Sequence, residues 1–264
     1  MFRLLALMIM ALSLGTAHAG ANVVSEEVTY TDNGFEMRGY LAYDAAVDGP
    51  RPGVLVIHEW WGHNEHARAQ ARRLAALGYT ALAVDMYGEG RLADHPDDAR
   101  AFATLVRSNM QLMTKRFDAA RKFLEAHERT DAGQTAAIGY CFGGSVVLEM
   151  ARAGEDLAAV ASFHGALATQ NPAQEGQVNA RVLVLHGNED PMVPAEQVEN
   201  FKQEMEAAGV DYHFVGYDGA THSFTNPQAD EKARQFGMPV GYHAEADQAS
   251  WEELERFLAE TFGG

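Results

Sequence analysis

The chain has 264 residues and a formal charge of −17, from 20 basic and 37 acidic side chains. That length suits one large α/β domain or two small ones, and 47% hydrophobic residues argue against global disorder. So acidic a balance argues against nucleic acid or an anionic membrane surface as partner.

Residues 1–19 read as a secretory signal peptide. Arg3 supplies a positive start, residues 4–14 an apolar run too short to span a bilayer, and Ala17-His18-Ala19 a small-residue cleavage site before Gly20. The expectation is an exported protein, periplasmic or secreted, with no membrane insertion after cleavage and one folded domain over residues 20–264. Cys141 is the only cysteine, so no internal disulfide is possible. A lone thiol in an oxidising compartment is a liability unless it has a use.

Residues 23–31 and 35–43 read as two strands joined at Asp32-Asn33-Gly34, an Asn-Gly hairpin signal. Residues 52–58 form a continuous apolar run, typical of a parallel strand buried on both faces. After Glu59-Trp60-Trp61-Gly62, residues 66–77 read as a helix stopped by Gly78, and residues 79–86 as the next buried strand. A helical pattern then covers residues 97–128. It is long for one globular helix, which predicts a break near Ser108-Asn109. Further strands are expected at 135–140, 157–163, 181–186 and 212–217, with helices at 194–208 and 247–262, the last carrying Trp251, Leu254, Leu258 and Phe262 on one face. Strands alternating with helices predict an α/β fold: a doubly wound, mostly parallel sheet with helices on both faces.

The chain is organised around Gly139-Tyr140-Cys141-Phe142-Gly143-Gly144. A strand leads into it and a helical stretch, Ser145 to Ala151, leaves it. Glycines two residues either side of a nucleophile-type side chain, on a strand–turn–helix, form the nucleophile-elbow pattern. The helix N-terminus then points at the thiol and favours a thiolate and a developing oxyanion. Taken alone, the pentapeptide also fits a buried structural cysteine beside a glycine-rich turn.

In doubly wound sheets the active site lies at the carboxyl ends of the strands. The polar residues expected there are Glu59, Asp85, Cys141, His164, Asp190 and His222. A cysteine nucleophile needs a base, and a histidine base needs an orienting carboxylate. Asp190, in Gly187-Asn188-Glu189-Asp190-Pro191, and His222, in Thr221-His222-Ser223-Phe224, follow buried strands. Singly, Asp190 also fits a helix-capping residue and His222 an ordinary loop histidine. Jointly they give the chain order nucleophile, acid, histidine on an elbow, which is the α/β-hydrolase arrangement. His58, His164, His186 and His222 lack metal-ligand spacing, so no metal is expected.

With these motifs the chain resembles the dienelactone hydrolase family, an α/β-hydrolase branch with a Cys-Asp-His triad. The GYCFGG elbow, the GNEDPMVP acid loop, the THSF histidine loop and the HEWWG stretch all match its pattern, and the resemblance runs from about Val23 to Phe262. It implies a cofactor-free hydrolase of small carboxylic esters or lactones, with Cys141, Asp190 and His222 as triad; the signal-peptide reading adds that it is exported. The Phe142 and Trp60 N–H groups would form the oxyanion hole. It further implies that Glu59 holds the resting thiol neutral, then takes its proton when substrate binds; a helix-capping role is the plain alternative. Trp61, Tyr87, Arg91, His164 and Phe224 are candidate substrate-binding residues, though each aromatic also fits core packing. One departure stands out. The basic residue that dienelactone-cleaving members carry four places after the catalytic histidine is Asn226 here, which argues against dienelactone itself as substrate. The rival functions are a catalytically retired binding protein and a thiol-reactive sensor on the same scaffold. The second lacks any resolving cysteine.

Overall fold

The computed structural model describes residues 21–263; the expected signal peptide and its cleavage site lie outside the described residues. Eight strands form one sheet: β1 (Val23–Asp32), β2 (Phe35–Asp44), β3 (Arg51–Ile57), β4 (Thr80–Val84), β5 (Thr130–Tyr140), β6 (Ala159–Phe163), β7 (Arg181–Gly187) and β8 (Tyr212–Tyr217), in the spatial order β1-β2-β4-β3-β5-β6-β7-β8. The β1–β2 and β2–β4 pairs are antiparallel and the rest are parallel. Seven helices are interleaved among the described residues: α1 (Glu65–Ala76), α2 (Pro96–Arg107), α3 (Met110–Glu125), α4 (Phe142–Arg152), α5 (Ala195–Ala207), α6 (Ala229–Phe236) and α7 (Ala244–Phe262). None is long and apolar enough to cross a membrane.

Strand alternation divides the core. Leu55 and Ile57 of β3, with Leu82 and Val84 of β4, pack beneath Phe117 and Leu124 of α3 and Val146, Val147 and Met150 of α4. Their neighbours Val54, Val56, Ala81 and Ala83 face Ala71 and Leu74 of α1 and Trp251, Leu254 and Leu258 of α7. Both faces of the central strands are covered, which is why these strands read as unbroken apolar runs.

The long helical pattern does break at Ser108-Asn109. Ser108 ends α2, and the Asn109 side chain accepts the Leu112 N–H at 3.0 Å to start α3. Two elements begin earlier than the residue pattern predicts. β5 starts at Thr130, because Arg51 and Pro52 pair with Thr130 and Asp131 before the register shifts at Gly53. α7 starts at Ala244, because His243 Nδ1 accepts the Ala246 N–H at 3.2 Å. α6 has no counterpart in the sequence reading. It is only 8 residues long and buries little beyond Ala229, so it carries no apolar stripe to read.

The elbow is seated by backbone contact. The Gly143 N–H donates to His58 O at 3.1 Å. A Cβ on Gly143 would lie 2.3 Å from Ile57 O, and one on Gly139 would lie 2.1 Å from Gly143 O. No side chain fits at either place. We expect Gly143→Ala to destabilise the fold by about 3 kcal/mol, read from the urea unfolding midpoint. Gly133→Ala, where the added carbon meets only Asp131 Oδ1 at 3.5 Å, should change stability little. Equal midpoints for the two variants would contradict this account of the elbow.

Candidate active site

Cys141 sits between β5 and α4 with φ 52° and ψ −109°. This is a strained backbone for a residue with a Cβ, costing about 1–3 kcal/mol. Two neighbours hold it there. The Cys141 N–H lies 3.0 Å from Phe163 O and 3.1 Å from His164 Nδ1. Since His164 Nδ1 accepts, its proton is on Nε2, which donates to Thr225 Oγ1 at 2.9 Å. Burial and the neighbouring His222 keep the His164 imidazole neutral by lowering its pKa well below the ordinary value. His164 therefore supports the nucleophile's backbone from behind.

Asp190, after β7, and His222, after β8, are brought together. His222 Nδ1 donates to Asp190 Oδ2 at 2.8 Å, and the other carboxylate oxygen accepts the Met192 N–H at 2.8 Å. That fixes the imidazole and leaves its Nε2 without a hydrogen-bond partner among the described residues. Nε2 is thus the nitrogen available to the thiol and to substrate.

Cys141 and His222 open onto one cavity of about 410 Å³. Trp60 and Trp61 form one wall, Met192 and Val193 another, and Met238 to Val240 a third; Asn226 also reaches it. Neither the Phe142 N–H nor the Trp60 N–H donates a hydrogen bond to any described residue, so both donors are free. Residues that the sequence reading did not single out also line the cavity. Arg100, Ala103, Thr104 and Arg107 come from α2, and Ala229 and Lys232 from α6. Lys232 stands over the Trp61 ring at 4.5 Å and Arg107 over Phe142 at 5.3 Å. Only the tertiary fold turns these helix faces inward. No local signal marks them.

Of the candidate substrate-binding residues, Trp61 lines the cavity, and Tyr87, Arg91, His164 and Phe224 do not. Tyr87 is buried and its hydroxyl donates to Trp60 O at 2.9 Å, holding that backbone from below. Phe224 is fully buried and packs edge-on against His164. Arg91 is exposed and ion-paired with Glu89. Asp85, at another strand end, is also fully buried, and its two oxygens accept N–H groups from Arg38, Tyr87, Gly88 and Gly90. It pins the loop after β4.

Glu59 is 1% exposed. Its Oε2 accepts the Asn226 side-chain N–H at 2.5 Å, while Oε1 has no hydrogen-bond partner among the described residues. The helix-capping alternative fails here, because α1 is capped by Asn64, whose side chain accepts the His66 N–H. Among the described residues no group of three or more His, Cys, Asp or Glu side chains is placed to hold a metal ion.

The dienelactone hydrolase family model matches residues 37–262. The chain belongs to the dienelactone hydrolase family. A Yersinia pestis protein named carboxymethylenebutenolidase is 29% identical over 239 residues, covering 86% of this chain and 85% of its own. A dienelactone hydrolase-like promiscuous phosphotriesterase from metagenomic libraries has the same fold, with a TM-score of 0.85 and 35% identity over 92% of this chain and all of its own. A Klebsiella pneumoniae structure described as a dienelactone hydrolase superposes with a TM-score of 0.76 and 28% identity, over 90% of this chain and 98% of its own. This family member is an α/β-hydrolase of ester or lactone bonds.

Electrostatics couple the site. Burial lowers the His222 pKa, but Cys141 and the Asp190 carboxylate outweigh it and push the value up to about 10. Only an ionised Cys141 exerts the Coulombic part of its pull, whereas the Asp190 part acts on the imidazole in either state of the thiol. Because the folded-state pKa exceeds the ordinary 6.5 or so, the stability gained by charging His222 is complete below about pH 6.5. It is lost as pH rises through about 10. We expect Asp190→Asn to move that loss to lower pH, read from urea midpoints across the alkaline range. An unchanged pH dependence would show that Asp190 does not act on the imidazole.

Proposed function

We propose that this hydrolase acts on small carboxylic esters or lactones through a Cys141-Asp190-His222 triad and an acyl-enzyme. The observation that carries this reading is His222, bonded to Asp190 through Nδ1 with Nε2 free, in the same cavity as Cys141. The Cys141 thiolate attacks the carbonyl carbon. The oxygen's developing charge falls to the free N–H groups of Phe142 and Trp60 and to the N-terminus of α4. His222 enters the cycle as the imidazolium paired with Asp190; its Nε2 gives a proton to the leaving alcohol, then takes one from the water that hydrolyses the thioester, which restores the imidazolium. Asp190 keeps the required tautomer and stabilises the imidazolium. No cofactor enters these steps.

Glu59 is given the role its family suggests: it holds the resting thiol neutral and accepts the thiol proton when substrate binds. A nearby carboxylate disfavours the thiolate, the form that oxidises. Its burial and its unpartnered Oε1 support this role. The cavity further favours an ester or lactone without a tightly held carboxylate at the position of Asn226. That side chain is committed to Glu59, and its amide carries no charge to offer. Free thiol and intact triad partners together do not suit a retired binding protein.

Turnover of short-chain chromogenic esters by purified protein tests the mechanism. Cys141→Ala should abolish it, and Asp190→Asn should lower kcat by about 10³-fold or more with the circular-dichroism spectrum unchanged. A two-fold loss in Asp190→Asn would assign the orienting role to another carboxylate.

The protein is further proposed to be exported, on the strength of the Arg3 start, the short apolar run and Ala17-His18-Ala19. Intact-mass measurement of the exported chain should give an N-terminus at Gly20. A mature chain beginning at Met1 would contradict export by signal cleavage.

A further inference from the structure

Behind the nucleophile lies a buried polar cluster that the triad does not use. His66, on the first turn of α1, has a side chain only 6% exposed. Its Nε2 is flanked by Thr225 O at 3.3 Å, an acceptor, and by Gln70 Nε2 at 3.4 Å, a donor. The ring is therefore hydrogen-bonded through Nε2 whether or not that nitrogen carries the proton. Nδ1 is different. It has no hydrogen-bond partner among the described residues, and it faces Glu59 Oε2 at 3.9 Å. Glu59 Oε1 is likewise without a partner. With the His66 proton on Nε2, bonded to Thr225 O, a carboxylate and a bare imidazole lone pair confront each other in a buried pocket. Two acceptors so placed repel unless a proton lies between them.

We propose that His66 is a positioning residue for Glu59 that also holds the proton Glu59 removes from Cys141. The inference rests on the role given to Glu59 above and adds the fate of the proton. When substrate binds, the S–H bond breaks, the electron pair stays on sulfur, and the proton goes to a Glu59 oxygen. The resulting carboxyl group donates to His66 Nδ1 and passes the proton across. The imidazolium keeps its Nε2–H on Thr225 O, and Glu59 is again a carboxylate, paired with it. The proton returns along the same groups when the acyl-enzyme is hydrolysed and the thiol re-forms. Nothing is oxidised and no other reactant is needed.

The dipeptide Thr225-Asn226 serves both halves of the site. Thr225 O receives the His66 N–H, Thr225 Oγ1 receives the His164 N–H behind Cys141, and Asn226 donates to Glu59. The chain joins the two proton acceptors to the nucleophile's own support. The other ionisable groups facing His66 are Tyr140 of β5, whose ring centroid is 5.0 Å away, His164 beyond β6, and Asp247 of α7, which lies 3.9 Å from Arg73. The Tyr140 hydroxyl is kept neutral by burial, and His164 is kept neutral as described. Asp247 is drawn towards its protonated form by burial and opposed by Arg73 and His66. None of these groups is altered in the test.

The test compares kcat/KM for a short-chain ester against pH in wild type, His66→Gln and Glu59→Gln. Glutamine can still reach Thr225 O but cannot accept a proton. In wild type the pair must be proton-free to receive the thiol proton, so kcat/KM should fall on the acid side as the pair binds a solvent proton first. In His66→Gln a lone carboxylate remains. The acid limb should then move to lower pH by about one unit or more, while the plateau falls about tenfold or more. A merely structural His66 would lower the plateau, or stability, without moving the limb. If Glu59→Gln turns over ester normally, the Glu59 reading fails and this proposal with it. If Glu59→Gln is crippled while His66→Gln keeps the wild-type acid limb, the proposal for His66 alone is overturned. His66→Asn is the second variant should His66→Gln not fold, and the same two readings apply.

Discussion

The site depends on one close backbone approach, the Gly143 N–H bonded to His58 O with the α4 N-terminus laid against the end of β3. Two consequences follow from it. Cys141, two residues before Gly143, is lifted to the rim of the sheet in a conformation that needs support. Glu59 and Trp60 follow His58 directly, and Trp60 lines the same cavity as Cys141. The nucleophile, its proposed proton acceptor and both proposed oxyanion donors thus come from two chain segments clamped by a single contact. A side chain at Gly139 or Gly143 would separate them. Here close packing and chemistry are the same constraint.

The second organising element is the segment from His222 to Asn226. It supplies the proposed base at one end, and at the other the carboxamide that holds Glu59. Thr225 between them accepts hydrogen bonds from two buried histidines that approach from different elements. The segment is itself held by Val240 to His243, through Gly241 N–H to His222 O and His243 N–H to Phe224 O. Polar groups this deep are costly unless partnered. Glu59 Oε1, His66 Nδ1 and His222 Nε2 are among the buried polar atoms without a partner among the described residues, and the proposed proton transfers employ all three.

The sheet, its parallel centre and the elbow were legible because each has a local signature. Buried strands read as apolar runs, and Gly139 and Gly143 bracket Cys141. Asp190 and His222 were legible because both follow such strands, where this fold places its chemistry. The cavity walls were not. α6 is short and polar, and α2 shows the solvent one face and the cavity another, so neither announces its role. Tyr87 and Phe224 stand near the right strand ends but turn into the core, and Arg91 turns to solvent. Side-chain direction after a strand end is set by the loop, and no residue pattern encodes it. His66 was invisible for a related reason. Its partners are Glu59, seven positions earlier, and Thr225, 159 positions later.

The most direct measurement of the central claim is rapid-quench intact mass of the enzyme during turnover of a slowly hydrolysed ester. The account predicts a transient mass increase equal to the acyl group, located by proteolysis on the peptide containing Cys141 and absent from Cys141→Ala, which should also be inactive. Steady turnover with no adduct on Cys141, sustained in Cys141→Ala, would contradict it.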